Sequence, residues 1–211
     1  MPTIVIVFIT SLLNVLPIND NFEGKITYRV RYHSRIPNVT SDQLSEMMGT
    51  EQDFFYKAGN YKSVVNGTTM EYMLYIADSS KMYMKMVNMD LLMRTDATKE
   101  TDQILHTQLN KNADTILGFV CDELIMKAKN STHKYYFNAD FKINPTESAN
   151  HKASNWSAYL SAAKALPLKM IIETEQFIAE SVAVQYKKEP LPAGMIKIDP
   201  SLKIVQSPEY N

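Results

Sequence analysis

The chain has 211 residues, with 22 Lys and Arg against 23 Asp and Glu, and a single cysteine. No stretch gathers Lys or Arg into a phosphate-binding stripe, which argues against a nucleic-acid partner. One cysteine excludes an internal disulfide, and this length buries a core without staples, so one domain held by packing is expected.

The chain opens with Met1–Leu16, MPTIVIVFITSLLNVL, about 14 apolar-dominated residues with no charge before Asp20. That is short for a membrane span, long for a buried strand, and suited to the apolar part of a secretory signal. Residues 1–20 are therefore expected to be a signal peptide, cleaved near Asn19–Phe22, which delivers the protein to the periplasm or beyond. No cysteine closes the run, so a lipid-anchored form is not expected.

Lys25–His33 alternates strictly: Ile26, Tyr28, Val30 and Tyr32 face one way, Lys25, Thr27, Arg29, Arg31 and His33 the other. This is the pattern of a half-buried antiparallel strand, with His33 on its solvated side. Thr40-Ser41-Asp42-Gln43 opens a short helix with a capping box; Leu44, Met47 and Met48 share its apolar face, and Gly49 ends it. Two turns of helix are not stable alone and must lie on a surface.

Short strands follow. Asp53–Lys57 and Tyr61–Val65 flank a tight Ala58-Gly59-Asn60 turn; Glu71–Ala77 and Lys81–Val87 flank Asp78-Ser79-Ser80. Gln103–Leu109 reads as another strand, closed by a polar turn at Asn110-Lys111-Asn112. The longest signal is Asp114–Phe137: an apolar run Ile116–Met126, a polar turn Lys127–Thr132, and Tyr135-Tyr136-Phe137. A second helix is expected at Trp156–Lys164, capped by Asn155, with Trp156, Tyr159, Leu160 and Ala163 on one face, and Leu166-Pro167-Leu168 ending it. Leu168–Thr174, Ser181–Lys187 and Met195–Ile198 complete the strands, and the tail beyond Pro200 is expected to be loosely held. Many short strands with few helices indicate a mainly β sandwich or barrel.

No arrangement of side chains points to catalysis. His33, His106, His133 and His151 are scattered, and neither a G-x-S-x-G nor an H-E-x-x-H motif occurs. Asp122 and Glu123 are adjacent on a strand and face opposite ways; Glu173 and Glu175 share a face but sit beside Lys169 as a solvated surface. Cys121, within an apolar run, reads as a buried thiol. Met82, Met84 and Met86 alternate along one strand, with Met70 and Met73 before and Met89 and Met93 after. Thioethers bind Cu(I), but no Cys or His joins this group in sequence, so core filling or an adaptable apolar wall ranks above a metal site. No metal, no cofactor and no enzyme activity are expected.

Strands such as Tyr72–Ile76 are apolar on both sides, which requires a covering layer or a cavity. The two short helices are natural covers, too small to fill a wide concavity. The residues expected to line the remaining space are Tyr28, Val30, Leu44, Met47, Met48, Met73, Met82, Met84, Met86, Trp156, Tyr159 and Leu160.

Phe22-x-Gly24-x-Ile26-x-Tyr28, Thr115-Ile116-Leu117-Gly118-x-x-Cys121, Tyr135-Tyr136-Phe137 and Leu166-Pro167-Leu168 together resemble a family of Gram-negative envelope proteins with a domain of unknown function (DUF4412-like). That family is similar to the periplasmic lipoprotein carrier LolA. Over residues 21–200 the resemblance implies one domain: an unclosed antiparallel β-barrel, helices against its concave face and a hydrophobic cavity between. It brings no catalytic residues, and Arg29, Arg31, Arg35 and Arg94 do not reproduce the carrier's arginine motif. The resulting expectation is a monomeric, non-enzymatic envelope protein that binds an acyl chain, lipid or lipoprotein and touches membrane or envelope proteins transiently. The alternative is a structural or protein-interaction module with a filled core.

Overall fold

A computed structural model describes residues 21–207 of the chain; the expected signal segment lies outside them. The alternation read at Lys25–His33 becomes β1 (Gly24–Ser34), with Ile26, Tyr28 and Val30 buried and Arg29, Arg31 and His33 exposed. It lies mid-sheet, paired antiparallel with β2 (Glu51–Lys57) on one side and with β11 (Phe177–Lys188) on the other.

From β2 the sheet continues through β3 (Asn60–Val65), β4 (Met70–Ile76), β5 (Lys81–Met86) and β6 (Leu91–Asp96) to an edge strand, β12 (Lys203–Gln206). From β11 it continues through β10 (Ala165–Thr174), β9 (Ser131–Lys142) and β8 (Phe119–Ala128) to the other edge, β7 (Ile104–Ile116). All pairings are antiparallel except β12 with β6. The helices are α1 (Ser41–Met48) and α2 (Trp156–Ala163), with 3-10 turns at Pro145–Ser148 and Ala153–Asn155.

The sheet is curled. Tyr61 on β3 and Tyr135 on β9 are five strand spacings apart, which on a flat sheet is roughly 24 Å at about 4.8 Å per strand. Yet the Trp156 ring meets both, with centroids 6.5 Å from Tyr61 and 6.3 Å from Tyr135. Only a barrel-like curve brings the two walls to one indole. Closure is incomplete, because among the described residues β7 and β12 end the strand order without pairing to each other. The β6–β7 connection spans this seam: the Ala97 carbonyl accepts from the Lys152 and Ala153 amides, and Thr101 Oγ1 from the Ser154 amide. The expected architecture, an unclosed antiparallel barrel with helices on its concave side, is what the chain adopts.

Helix α1 forms as its sequence dictates. Thr40 Oγ1 accepts from the Gln43 amide at 3.1 Å, and Gln43 Oε1 from the Thr40 amide at 2.8 Å. Its last carbonyls are met by the β3–β4 turn, where the Thr68 and Thr69 amides donate to Glu46 and Met47. Helix α2 lies inside the curve, with Tyr159 and Leu160 fully buried. Asn155 does not cap it as expected: its backbone is left-handed and its side chain makes no capping bond.

Other expectations are corrected. Asn110-Lys111-Asn112 is no turn but an irregularity within β7, where the register to β8 slips between Asn110 and Asp114. The reversal falls at Leu117-Gly118, inside the apolar run read as one strand; both residues have positive φ, 52° and 85°, as a two-residue hairpin turn requires. Pro167 lies within β10, tolerated because the pairing with β9 is irregular on either side of it. Met195–Ile198 is not a strand; Ile196 and Ile198 pack, with Leu202, against Tyr72, Leu74, Tyr83 and Leu92 on the outer face. The tail past Pro200 is not loose throughout, since β12 pairs with β6. The two-sided apolar character of β4 thus has two causes: Tyr72 and Leu74 lie under the C-terminal segment, Met73 and Tyr75 face the interior.

Candidate functional site

Helix α2 occupies only part of the concave face. Beside it an open-mouthed cavity of about 870 Å³ remains, within the few hundred to a thousand cubic ångströms of small-molecule sites. Strand alternation builds its walls. Tyr28, Val30 and Tyr32 project from β1, and Phe54, Tyr61 and Met73 from β2, β3 and β4. Phe177 and Ala179 of β11 and Met170 and Ile172 of β10 continue the wall on the other side of β1, and the Trp156 indole forms the floor. The polar tip of Tyr28 is satisfied within the wall, its hydroxyl donating to the Pro167 carbonyl at 2.6 Å. The cavity can therefore remove apolar surface from water at roughly 25 cal/mol per Å² buried.

Of the residues expected here, Tyr28, Val30, Met48, Met73 and Trp156 line the cavity. Leu44 is buried beneath α1, while Met47 is 45 % exposed and is not on the cavity lining. Tyr159 and Leu160 belong to the filled core, and Met82 packs against it. Met84 pairs with Met73 and Met86 with Met70, so both continue the methionine row, but outside the cavity lining. Sequence reasoning missed the far wall of β10 and β11 and the polar rim.

That rim is a directed hydrogen-bond chain. Asp102 Oδ2 accepts from Ser131 Oγ at 2.6 Å, Ser131 Oγ lies 3.0 Å from His133 Nε2, and His133 Nδ1 lies 2.9 Å from the Tyr135 hydroxyl. A carboxylate only accepts, so Ser131 donates to it and accepts from Nε2–H, leaving Nδ1 to accept from Tyr135. Each proton is thereby assigned for a neutral His133. Burial holds the imidazole below its ordinary value, against the pull of the Asp102 carboxylate, and pushes the Tyr135 phenol up. The i, i+2, i+4 spacing of Ser131, His133 and Tyr135 on one strand face was the available sequence signal.

A ring cluster backs the floor. Tyr61 stacks on Tyr75 and on His151, with centroids 5.6 and 5.7 Å apart, and its hydroxyl lies 2.8 Å from His151 Nε2. His151 Nδ1 and Trp156 Nε1 are buried with no hydrogen-bond partner among the described residues. Burial holds the His151 pKa down to about 4.

Several other titratable groups are held within the fold. Cys121 is fully buried, and burial raises its thiol to about 11. Asp122 meets Lys111 at 2.7 Å, whereas Glu123 accepts from Asn110 at 2.6 Å, so the two carboxylates serve different neighbours. Lys169 binds Asp114 and Glu180, while Glu173 binds Lys134 and Arg35. Among the described residues no group of three or more His, Cys, Asp or Glu is placed to hold a metal ion. None of the described helices is long and apolar enough to cross a membrane.

Fold and cavity together define an open-barrel β-protein with a ligand-sized apolar interior. No family model matches the chain and no curated protein matches it, so the resemblance to the domain-of-unknown-function family has no matching model behind it. Among solved structures the chain is similar to PNGF-II in a P21 crystal form, at 11 % identity and a TM-score of 0.47, over 88 % of this chain and 32 % of that one. The chain thus spans about a third of the length of PNGF-II. It is also similar to LprF from Mycobacterium bovis, at 12 % identity and a TM-score of 0.35, over 82 % of this chain and 89 % of that one.

Proposed function

We propose that this protein is an exported, non-enzymatic carrier or sensor that holds an apolar ligand, an acyl chain of a lipid or lipoprotein, in the cavity between α2 and the curled sheet. The observation that carries this reading is the 870 Å³ space walled by β1–β4 and β9–β11. Its mostly apolar walls, broken by Gln52, Ser63 and Ser181, meet a polar rim at Asp102, Ser131 and residues 174–176, so a ligand's tail lies inside with its head at that rim. Flexible thioethers at Met48, Met70, Met73 and Met170 let the walls repack around chains of differing length.

Lipid extraction and native mass spectrometry of the purified protein test the reading. The expected result is co-purifying lipid, lost in Ala179→Phe, which fills the cavity from the β11 side. A lipid-free protein whose melting temperature does not rise with added fatty acids, monoglycerides or lipopeptides overturns it and favours an interaction module. The export half is checked by N-terminal sequencing of protein recovered from the envelope, expected to begin between Asn19 and Phe22. An intact Met1 contradicts cleavage.

A further inference from the structure

The cavity presents charge of one sign. Asp102 and Glu175 are the acidic residues on its lining, and no Lys or Arg is among the described lining residues, although the chain holds 22 of them. Both carboxylates sit on the same stretch of rim: Asp102 is bonded to Ser131, Ser131 pairs across β9 and β10 with Thr174, and Glu175 follows Thr174. A cation close to this stretch, Arg35, is already engaged. Its guanidinium donates to the Thr174 carbonyl at 2.7 Å and lies 3.7 Å from the Glu173 carboxylate.

The two carboxylates differ in what they offer. Asp102 accepts from the Asn130 amide, the Asn130 side chain and Ser131 Oγ, so it contributes a fixed field rather than a free lone pair. Glu175 is exposed at the mouth and is the adaptable acceptor. A carboxylate or phosphate head placed there meets two like charges with no lining cation to offset them. An ammonium or hydroxyl head meets acceptors.

We propose, resting on the cavity reading above, that the ligand is an amphiphile whose head donates hydrogen bonds and carries no negative charge: a long-chain alcohol, glyceride or amine. Free fatty acids and phosphorylated lipids are disfavoured at this rim.

The test holds the tail constant and varies the head. Dodecylammonium, monolauroylglycerol, dodecanoate and dodecyl phosphate are titrated into the protein by calorimetry, each below its micellar concentration, at neutral pH and low salt. The ammonium and glyceride probes are expected to bind at least roughly tenfold tighter than the two anions. Glu175→Lys, a change at an exposed position, is expected to narrow that gap about threefold or more. Anions that bind as tightly as the other two, or a gap that Glu175→Lys leaves unchanged, overturn the charge selection while the cavity reading stands. If none of the four probes binds, both fall together.

Discussion

Tyr159→Ala is expected to cost about 4 kcal/mol of folding stability. Tyr159 is wholly inaccessible, stacks on Tyr135 with centroids 4.0 Å apart and touches Trp156 at 5.3 Å. Its hydroxyl donates to the Ala165 carbonyl at 2.9 Å, which joins the middle of α2 to the start of β10. Removing the ring opens a cavity beneath α2 and strands that carbonyl. Tyr159→Phe keeps the ring and loses only the hydrogen bond, so it is expected to cost about 1 kcal/mol. Urea unfolding of the two variants checks the pair. A Tyr159→Ala protein within about 1 kcal/mol of the parent contradicts the placement of α2 as the packed half of the interior.

Acid is expected to weaken the fold before its ion-paired carboxylates titrate. His151 takes its proton near 6.5 when unfolded but only near 4 in the native state, where it is enclosed by Tyr61, Tyr75 and Trp156. Between those values the unfolded chain binds more protons, so stability is fully present above about pH 6.5 and declines as pH falls toward 4. The shift corresponds to about 3 kcal/mol across that window. His133, also held below its ordinary value by burial, acts in the same direction. Paired carboxylates such as Asp96 and Asp122, held below their usual range by Lys81 and Lys111, lose their contribution only at lower pH. Urea midpoints measured from pH 7.5 to 4.5 are expected to fall steeply for the parent and less for His151→Phe. That variant starts lower, because the Tyr61 hydroxyl loses its imidazole partner and keeps only the weak contact to Met73 Sδ, so the slope is the quantity to read. Equal slopes contradict the assignment.

How much of this was legible in the sequence differs by element. Strict alternation placed β1, and the Thr40–Gln43 spacing placed α1 together with its capping box, because both signals are local. The two-sided apolar pattern of Tyr72–Ile76 implied two coverings, which the structure supplies as a C-terminal segment outside and a cavity wall inside. The Leu117-Gly118 reversal was hidden because a leucine in left-handed backbone carries no turn signature. Pro167 read as a helix stop, since its tolerance depends on bulges that only the partner strand reveals. β12 has four residues and a parallel partner, too short for any periodicity to show.

The site was less legible than the fold. Alternation put Tyr28 and Val30 on the apolar face of β1, and the methionine group suggested Met73, but the curl that brings β9 and β3 to the same indole depends on contacts far apart in sequence. Ser131, His133 and Tyr135 share a strand face at visible spacing. Asp102, which orients them, comes from a different connection, so the rim exists only once the sheet is folded.

Trp156 is the single tryptophan of the chain and forms the cavity floor, which makes its emission a direct report on occupancy. Titration with monolauroylglycerol below its micellar concentration is predicted to give a saturable change in tryptophan fluorescence, abolished in Ala179→Phe. An emission spectrum unmoved by the ligand in the folded parent, or a change that persists undiminished in folded Ala179→Phe, contradicts the claim that this cavity is a binding site.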